Sequence, residues 1–511
     1  AREVLQKRNA DPDRTTLGGD TVDLGGFANL VHGHDCDNAV RIALEIGIDD
    51  DGLPHYPLTP VPDLEEDSSG DWEDEDIQER EAHLIRVNQV CTVESASIEV
   101  VCSWSARQGR PVVSAYRVGI NGREIAAITL EETTGWPVAA ITYLDWDHPL
   151  LAAAEEASEL SLRELYARST SPAHGPEAGS IELGVRTVIP EFNKPFRVAD
   201  QMHVGDVKRF EQFWSLMSQI LIRPGELLLD ELRQLRYLGP IRQLPARDYQ
   251  PPRTPDDARW SDGMAAWDLL YRVHVNPDED AEARDQRHRT IIDRTSEYLR
   301  DVLKLGYSIH QDEYGALDMN GPIMAELRLL ANQYDERDAA HFIRRILEPL
   351  EELPTKPVVK LYDEGDDIEV DPYDVGVGVS QALPVVVGTV DQDNAIFAVE
   401  QPELHVHPAV QCRMGDLFIR EAMRTGMRNR TFLLETHSEH LVLRIMRRMR
   451  ETHEGTLEGD SPPVTPEDVS ILLVERVEQE TVIRTMPLNE RGELVKAWPG
   501  GFFEEGLKET L

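Results

Sequence analysis

At 511 residues the chain is longer than one hydrophobic core usually organises, and it implies two or three packed units. Its 41% hydrophobic content is that of a globular protein, no apolar run nears the ~20 residues of a membrane span, and no basic-then-apolar leader opens it. A cytoplasmic location with no membrane partner is expected.

The net charge of −42 reflects 94 carboxylates against 8 lysines and 44 arginines. Concentrated salt would screen the self-repulsion of such a surface, so the composition predicts a halophilic source. DNA binding through a local arginine patch stays open. Cys36, Cys91, Cys102 and Cys412 lack CxxC spacing and read as reduced structural thiols. The "HGH" at 32–34 lacks the second half of a metal site and reads as loop.

In chain order, residues 1–60 run from a helix end through a loop into the alternating strand "AVRIALEIGID". Residues 63–81 hold 11 carboxylates in 19 positions and read as a solvated loop. Antiparallel strands follow over 84–143, with a hairpin turn at Asn121-Gly122. A helix is expected over 150–166 and a further β segment in "SIELGVRTVIP", 180–190. Together 1–200 form an N-terminal lobe.

Residues 201–350 are expected to be a helical insertion, because "DVKRFEQFWSLMSQILI" and "GELLLDELRQLRYL" place apolar residues at i, i+3 and i+4. In "YLGPIRQLPARDY", Arg242 and Arg247 are expected in surface ion pairs. From 351 to 450 strands and helices alternate, which predicts a largely parallel sheet carrying helices. A short segment, 451–511, closes the chain.

The chemistry concentrates in 351–450. The apolar run "AIFAVE" predicts a buried parallel strand with Glu400 at its carboxyl end, where open α/β sheets gather ligands. A carboxylate there can hold Mg²⁺ through its water shell beside nucleotide phosphates. Glu403 follows, and the next strand, "TFLLE", brings Glu435, His437 and Glu439 to a neighbouring end. Upstream, "GVGVSQALP" pairs flexible backbone with a helix N-terminus, a ready anion site.

This ordered set resembles the C-terminal lobe of ABC-class ATPase heads of the SMC, RecF and OLD kind. "DVGVGVSQALP" resembles the signature motif, "FAVEQPELHVHP" the Walker B strand and D-loop, and "LLETHSEH" the switch-histidine loop. The segments "VDLGGFANLVHGHD", "YLGPIRQLPARDY" and "WPGGFFEE" resemble those of a prokaryotic group of predicted ATPases with a C-terminal domain of unknown function. The resemblance implies an α/β fold: an ABC-ATPase-like P-loop NTPase head with an antiparallel β subdomain and a helical insertion. It also implies ATP and Mg²⁺ as cofactors, and a homodimer that sandwiches ATP.

Carried over by position, Glu400 takes the Mg²⁺-linked Walker B place, Gln401 the usual catalytic-glutamate place and His437 that of the switch histidine. Gly376, Gly378, Ser380 and Gln381 form the signature that meets the γ-phosphate of the opposite subunit. Two departures stand out. No Gly-Lys dipeptide occurs; the family carries its P-loop shortly before the "VDLGGF" segment, so it is expected to precede Ala1, a degenerate ATPase being the alternative. Gln401 cannot accept a proton, so either hydrolysis is slow and ATP acts as a switch, or Glu403 serves as base.

No DxD pair follows a strand after the switch loop, so no nuclease is expected in this chain. The family analogy implies a switch in a DNA-linked or antiviral defence assembly with a separate effector such as a nuclease. The alternative is a non-hydrolysing nucleotide sensor or scaffold subunit.

Overall fold

The computed structural model describes residues 2–8, 26–49, 52–53, 85–131, 137–158, 161–169, 181–183, 187–192, 194–196, 207–252, 254–271, 281–315, 317–332, 355–424, 430–478, 480–496 and 498. The acidic stretch 63–81 and most of "WPGGFFEE" lie outside these residues. Two compact units divide after Arg233, inside the span expected to be a helical insertion.

The first unit is built on a six-stranded antiparallel sheet in sequence order. Its strands are β1 (Val40–Gly47), β2 (Ser95–Ser105), β3 (Arg110–Ile120), β4 (Arg123–Glu131), β5 (Val138–Leu144) and β6 (Ile181–Glu182). The alternation of β1 in sequence is an alternation of exposure in space, one face packed and one solvated. Between β3 and β4, Asn121 and Gly122 stand at φ 51° and 73°, the two left-handed positions of a tight hairpin. The Asn121 amide also accepts from Glu94 N (2.8 Å) and donates to Thr92 O (2.9 Å), tying the turn to the start of β2. Register shifts at Val101/Cys102, Val118/Gly119 and Ala127/Ile128 coil the sheet. In "SIELGVRTVIP" two residues pair as strand, and 184–186 lie outside the described residues.

Helices α1 (Pro149–Ser158), α2 (Leu162–Ser169), α3 (Val207–Leu221) and α4 (Arg223–Arg233) complete this unit. On α3, Phe213, Met217 and Ile220 fall at i, i+4 and i+7 and are fully buried in one core with Ile98, Val118 and Ile128 of the sheet. The Tyr116 hydroxyl donates to Leu221 O (3.1 Å) inside that core.

The second unit follows in the order β7 (Leu235–Leu238), α5 (Met264–Tyr271), α6 (Ala281–Glu297), β8 (Tyr307–Gly315), a helix over Pro322–Asn332, β9 (Thr355–Asp363), β10 (Ile368–Val370), α7 (Val377–Val390), β11 (Ile396–Glu400), α8 (Pro408–Ala422), β12 (Thr431–Glu435), α9 (Glu439–Glu454), β13 (Leu472–Val477) and β14 (Glu480–Thr485). A parallel sheet runs β12-β11-β7, an antiparallel one β10-β9-β8, and β13 and β14 form a hairpin.

One expectation is corrected here. The helix read through Leu238 ends at Arg233, and Leu235–Leu238 become a strand paired with Ile396–Val399. Four residues are too few for periodicity to separate strand from helix, and the pairing with β11 decides. β8 likewise places a strand within 201–350.

Helix α7 is buried nearly all round, as a helix apolar on every side must be. It lies so close to β11 that a Cβ on Gly388 would stand 2.3 Å from the Phe397 ring. At its C-terminus, Arg430 donates to the carbonyls of Gly388, Thr389 and Asn394, a cation meeting the negative end of the helix dipole. Asp391, just beyond, pairs with Arg236 and Arg287. One end of α7 is thereby fixed beside the parallel sheet.

Candidate functional site

The site grows from the register of two strands. β11 and β12 pair from Ile396↔Thr431 to Glu400↔Glu435, so both end on a glutamate at the same level. Tyr237, on β7 beside Ala398, reaches the first of them: its hydroxyl donates to Glu400 Oε1 at 2.9 Å. Burial, and then the bond to Glu400 with the charges of Glu400 and Glu435, push the Tyr237 hydroxyl up to about 12. It therefore stays a donor at neutral pH.

Beyond Glu400 the chain turns sharply. Gln401 stands at φ 44°, in the left-handed region that non-glycine residues seldom occupy. Its N–H donates to Glu435 O (2.8 Å) and lies 3.2 Å from Glu435 Oε2. The other carboxylate oxygen of Glu435 is 3.3 Å from His437 Nε2, and the His437 side chain is 75% exposed. The backbone N–H of His437 donates to Glu403 Oε1 at 2.7 Å. Glu403 Oε2 is out of solvent contact and has no partner among the described residues. Glu400, Gln401, Glu403, Glu435 and His437 are thus one connected group.

Arg242 is the main correction to the sequence reading. It is 4% exposed, not in a surface ion pair. Its Nη2 donates to Glu400 O (2.8 Å) and Gln401 O (3.1 Å), its Nη1 to Gln381 O (3.3 Å). Burial lowers its pKa to about 10, and the charge of Glu403 opposes the fall, so the guanidinium remains charged at neutral pH. Nothing in the local sequence separates it from Arg247, which does form the expected surface pair, with Asp374 at 2.5 Å. Tyr237 escaped notice for the same reason as β7 itself.

The residues that resemble a signature divide in two. Gly376 is the N-cap of α7, and it and Val377 are exposed. A Cβ on Gly378 would stand 3.0 Å from His405 O, so this turn packs tightly against the segment after Gln401. Ser380 and Gln381 are buried: the Ser380 hydroxyl donates to Val377 O (3.0 Å) and the Gln381 amide to Arg242 O (2.9 Å). Their side chains point into the fold and shape the turn.

Among the described residues no group of three or more His, Cys, Asp or Glu could cage a metal ion. That suits Mg²⁺, which needs one or two carboxylates and completes its octahedron with water and phosphate oxygens. Glu400 fits this part, with one oxygen oriented by Tyr237.

Residues 237–444 match the family described as "AAA domain, putative AbiEii toxin, Type IV TA system", and residues 464–511 match a family described as "Protein of unknown function". No curated protein matches the chain. Among solved structures, an SMC head bound to the C-terminal winged-helix domain of ScpA aligns with 81% of this chain and 70% of its own, at 10% identity and a TM-score of 0.30. The fold class is α/β with an antiparallel sheet, and residues 237–444, less than half of the chain, are similar to an AAA-type ATPase domain.

Proposed function

We propose that this protein is an ATP-hydrolysing subunit of the ABC class that acts as a slow, dimeric nucleotide switch. The observation that carries the reading is the shared ending of β11 and β12, which gathers Glu400, Gln401, Glu435 and His437 at the carboxyl end of a parallel sheet. Phosphates collect at that end in open α/β folds.

Glu400 would hold Mg²⁺ through its water shell, and the ion would supply charge neutralisation to the nucleotide phosphates. His437, steered by Glu435 and Glu403, donates to a terminal phosphate oxygen. Gln401 orients the attacking water without taking its proton. Lacking a positioned base forfeits about 10²–10⁴-fold in rate, which makes turnover slow and the bound state long-lived. The N-terminal turn of α7, exposed at Gly376 and half-buried at Gly378, offers backbone N–H groups to the γ-phosphate of a second subunit, with Ser380 and Gln381 holding the turn.

In this reading 1–200 is the N-terminal lobe, 201–350 the insertion, which also lends Tyr237 and Arg242 to the site, 351–450 the C-terminal ATPase lobe and 451–511 a family-specific domain. The wider role is control of a cytoplasmic, DNA-linked or antiviral defence assembly whose effector, such as a nuclease, is a separate chain. A second reading, a non-hydrolysing nucleotide sensor or scaffold, draws on the amide at position 401.

The test combines Mg-ATP titration, turnover and light scattering with and without ATP. Binding, slow turnover lost in Glu400→Gln, and ATP-dependent dimers are expected. Absence of nucleotide binding would sink the switch and the sensor and leave the scaffold, and binding without turnover would leave the sensor. A gel shift whose affinity falls steeply with salt tests DNA contact.

A further inference from the structure

We infer that Arg242 is a positioning residue: it holds Gln401 in its left-handed backbone and couples that residue to the first turns of α7. Its effect on turnover rests on the nucleotide-switch reading above, whereas its effect on stability does not.

Gln401 supplies the first argument. A non-glycine residue in the left-handed region is strained, and it persists only where its surroundings over-determine it. A glutamine side chain also lacks the short local bond by which asparagine or aspartate eases that conformation. Here the backbone is gripped on both sides. The Gln401 N–H goes to Glu435 O, while Arg242 Nη2 takes the carbonyls of both Gln401 (3.1 Å) and Glu400 (2.8 Å). One nitrogen thus fixes the two peptide groups that flank the turn.

The second argument is what Arg242 gives up. A buried cation needs compensation, usually a carboxylate in direct contact. Arg242 is 4% exposed, its bonds go to three backbone carbonyls, and its Nε has no hydrogen-bond partner among the described residues. A guanidinium spent in this way serves geometry. Its planar fork can address carbonyls from different segments at once, which the single ammonium of lysine cannot reproduce.

The third argument is the reciprocal clasp with α7. Arg242 Nη1 donates to Gln381 O (3.3 Å), and the Gln381 amide donates back to Arg242 O (2.9 Å). Movement of the N-terminal turns of α7, where Gly376 and Gly378 lie, is transmitted through this clasp to the peptide that aims the Gln401 side chain. Contact of the α7 terminus with a phosphate and placement of Gln401 become one event.

The experiment has two arms. In the first, Arg242→Lys is compared with wild type for Mg-ATP affinity and for turnover at saturating ATP. Turnover is expected to fall at least about tenfold, with affinity changed less than about threefold, because misplacement alone slows a reaction. In the second, denaturant unfolding is measured for wild type, Arg242→Lys, Gln401→Gly and the double variant. If Arg242 acts on the Gln401 backbone, glycine removes the strain it opposes, and Arg242→Lys costs less in the Gln401→Gly background. Equal losses in both backgrounds, or unchanged turnover in an active enzyme, overturn the inference. If Arg242→Lys does not fold, Gln381→Leu, which removes the amide bond to Arg242 O and leaves only the bond to the Gln381 carbonyl, carries both arms. A wild type that neither binds nor hydrolyses ATP refutes the switch reading, and the unfolding arm still decides the role of Arg242.

Discussion

At the residue scale, the site is a set of carboxylates kept apart by what each one bonds. Glu403 illustrates the difference between a base and a brace. Its Oε1 is engaged by the His437 N–H and its Oε2 is out of solvent contact, so one oxygen braces the backbone and the other does not meet water. A glutamine in its place still offers an acceptor to His437. Glu403→Gln is therefore expected to keep turnover within about threefold of wild type, whereas loss of a general base costs about 10²–10⁴-fold. A steady-state assay separates the two, and a drop of the larger size would make Glu403 the base. Tyr237 yields a pH prediction. Its folded-state pKa is raised from 10.0 to about 12, so its contribution to stability is complete below pH 10 and is lost as pH rises through about 12. In Tyr237→Phe, the decline of unfolding free energy between those values should be shallower than in wild type. Parallel declines would mean that the folded protein, through burial and the bond to Glu400, does not hold this proton.

At the element scale, α7 links the site to the core, and its packing was only partly legible in the sequence. The stretch "GVGVSQALP" pointed to the start of a helix, and "AIFAVE" to a buried strand. The pattern could not show that one lies against the other so closely that Gly388 has room for no side chain. β7 was hidden because four residues carry no reliable period, and Arg242 because burial is a property of the assembled loops. The carboxylates and His437 were readable since each ends or follows a strand that its own apolar run defines. Gly388→Ala tests the contact. Alanine favours a helix by roughly 1 kcal/mol over glycine, but overpacking a rigid ring costs typically about 1–3 kcal/mol. With the new Cβ at 2.3 Å from Phe397 and the ring fully buried, the second effect should prevail. A lower denaturant midpoint with unchanged slope is expected, and a higher midpoint would show that α7 can shift away.

At the scale of the whole molecule, charge decides the conditions under which this fold stands. The chain carries −42 net charges, and ion pairs do not cancel them. The buried pairs, Arg236 with Asp391 and Arg294 with Glu421, are shielded from solvent and little affected by added salt. The unbalanced carboxylates repel one another through water, with a screening length of about 10 Å at 0.1 M salt and about 3 Å at 1 M. Raising KCl from 0.1 to 2 M should therefore stabilise the protein by weakening repulsion while leaving the interior pairs intact. Each 1 kcal/mol gained moves the midpoint of a unit this size by roughly 2–4 °C, so a rise on the order of 10 °C is expected. Chloride is the appropriate anion, because sulfate strengthens apolar burial in any protein. Thermal melts across a KCl series measure the effect. A midpoint that stays flat or falls would mean that the surface charges are already compensated, and the halophilic reading of the composition would go with it.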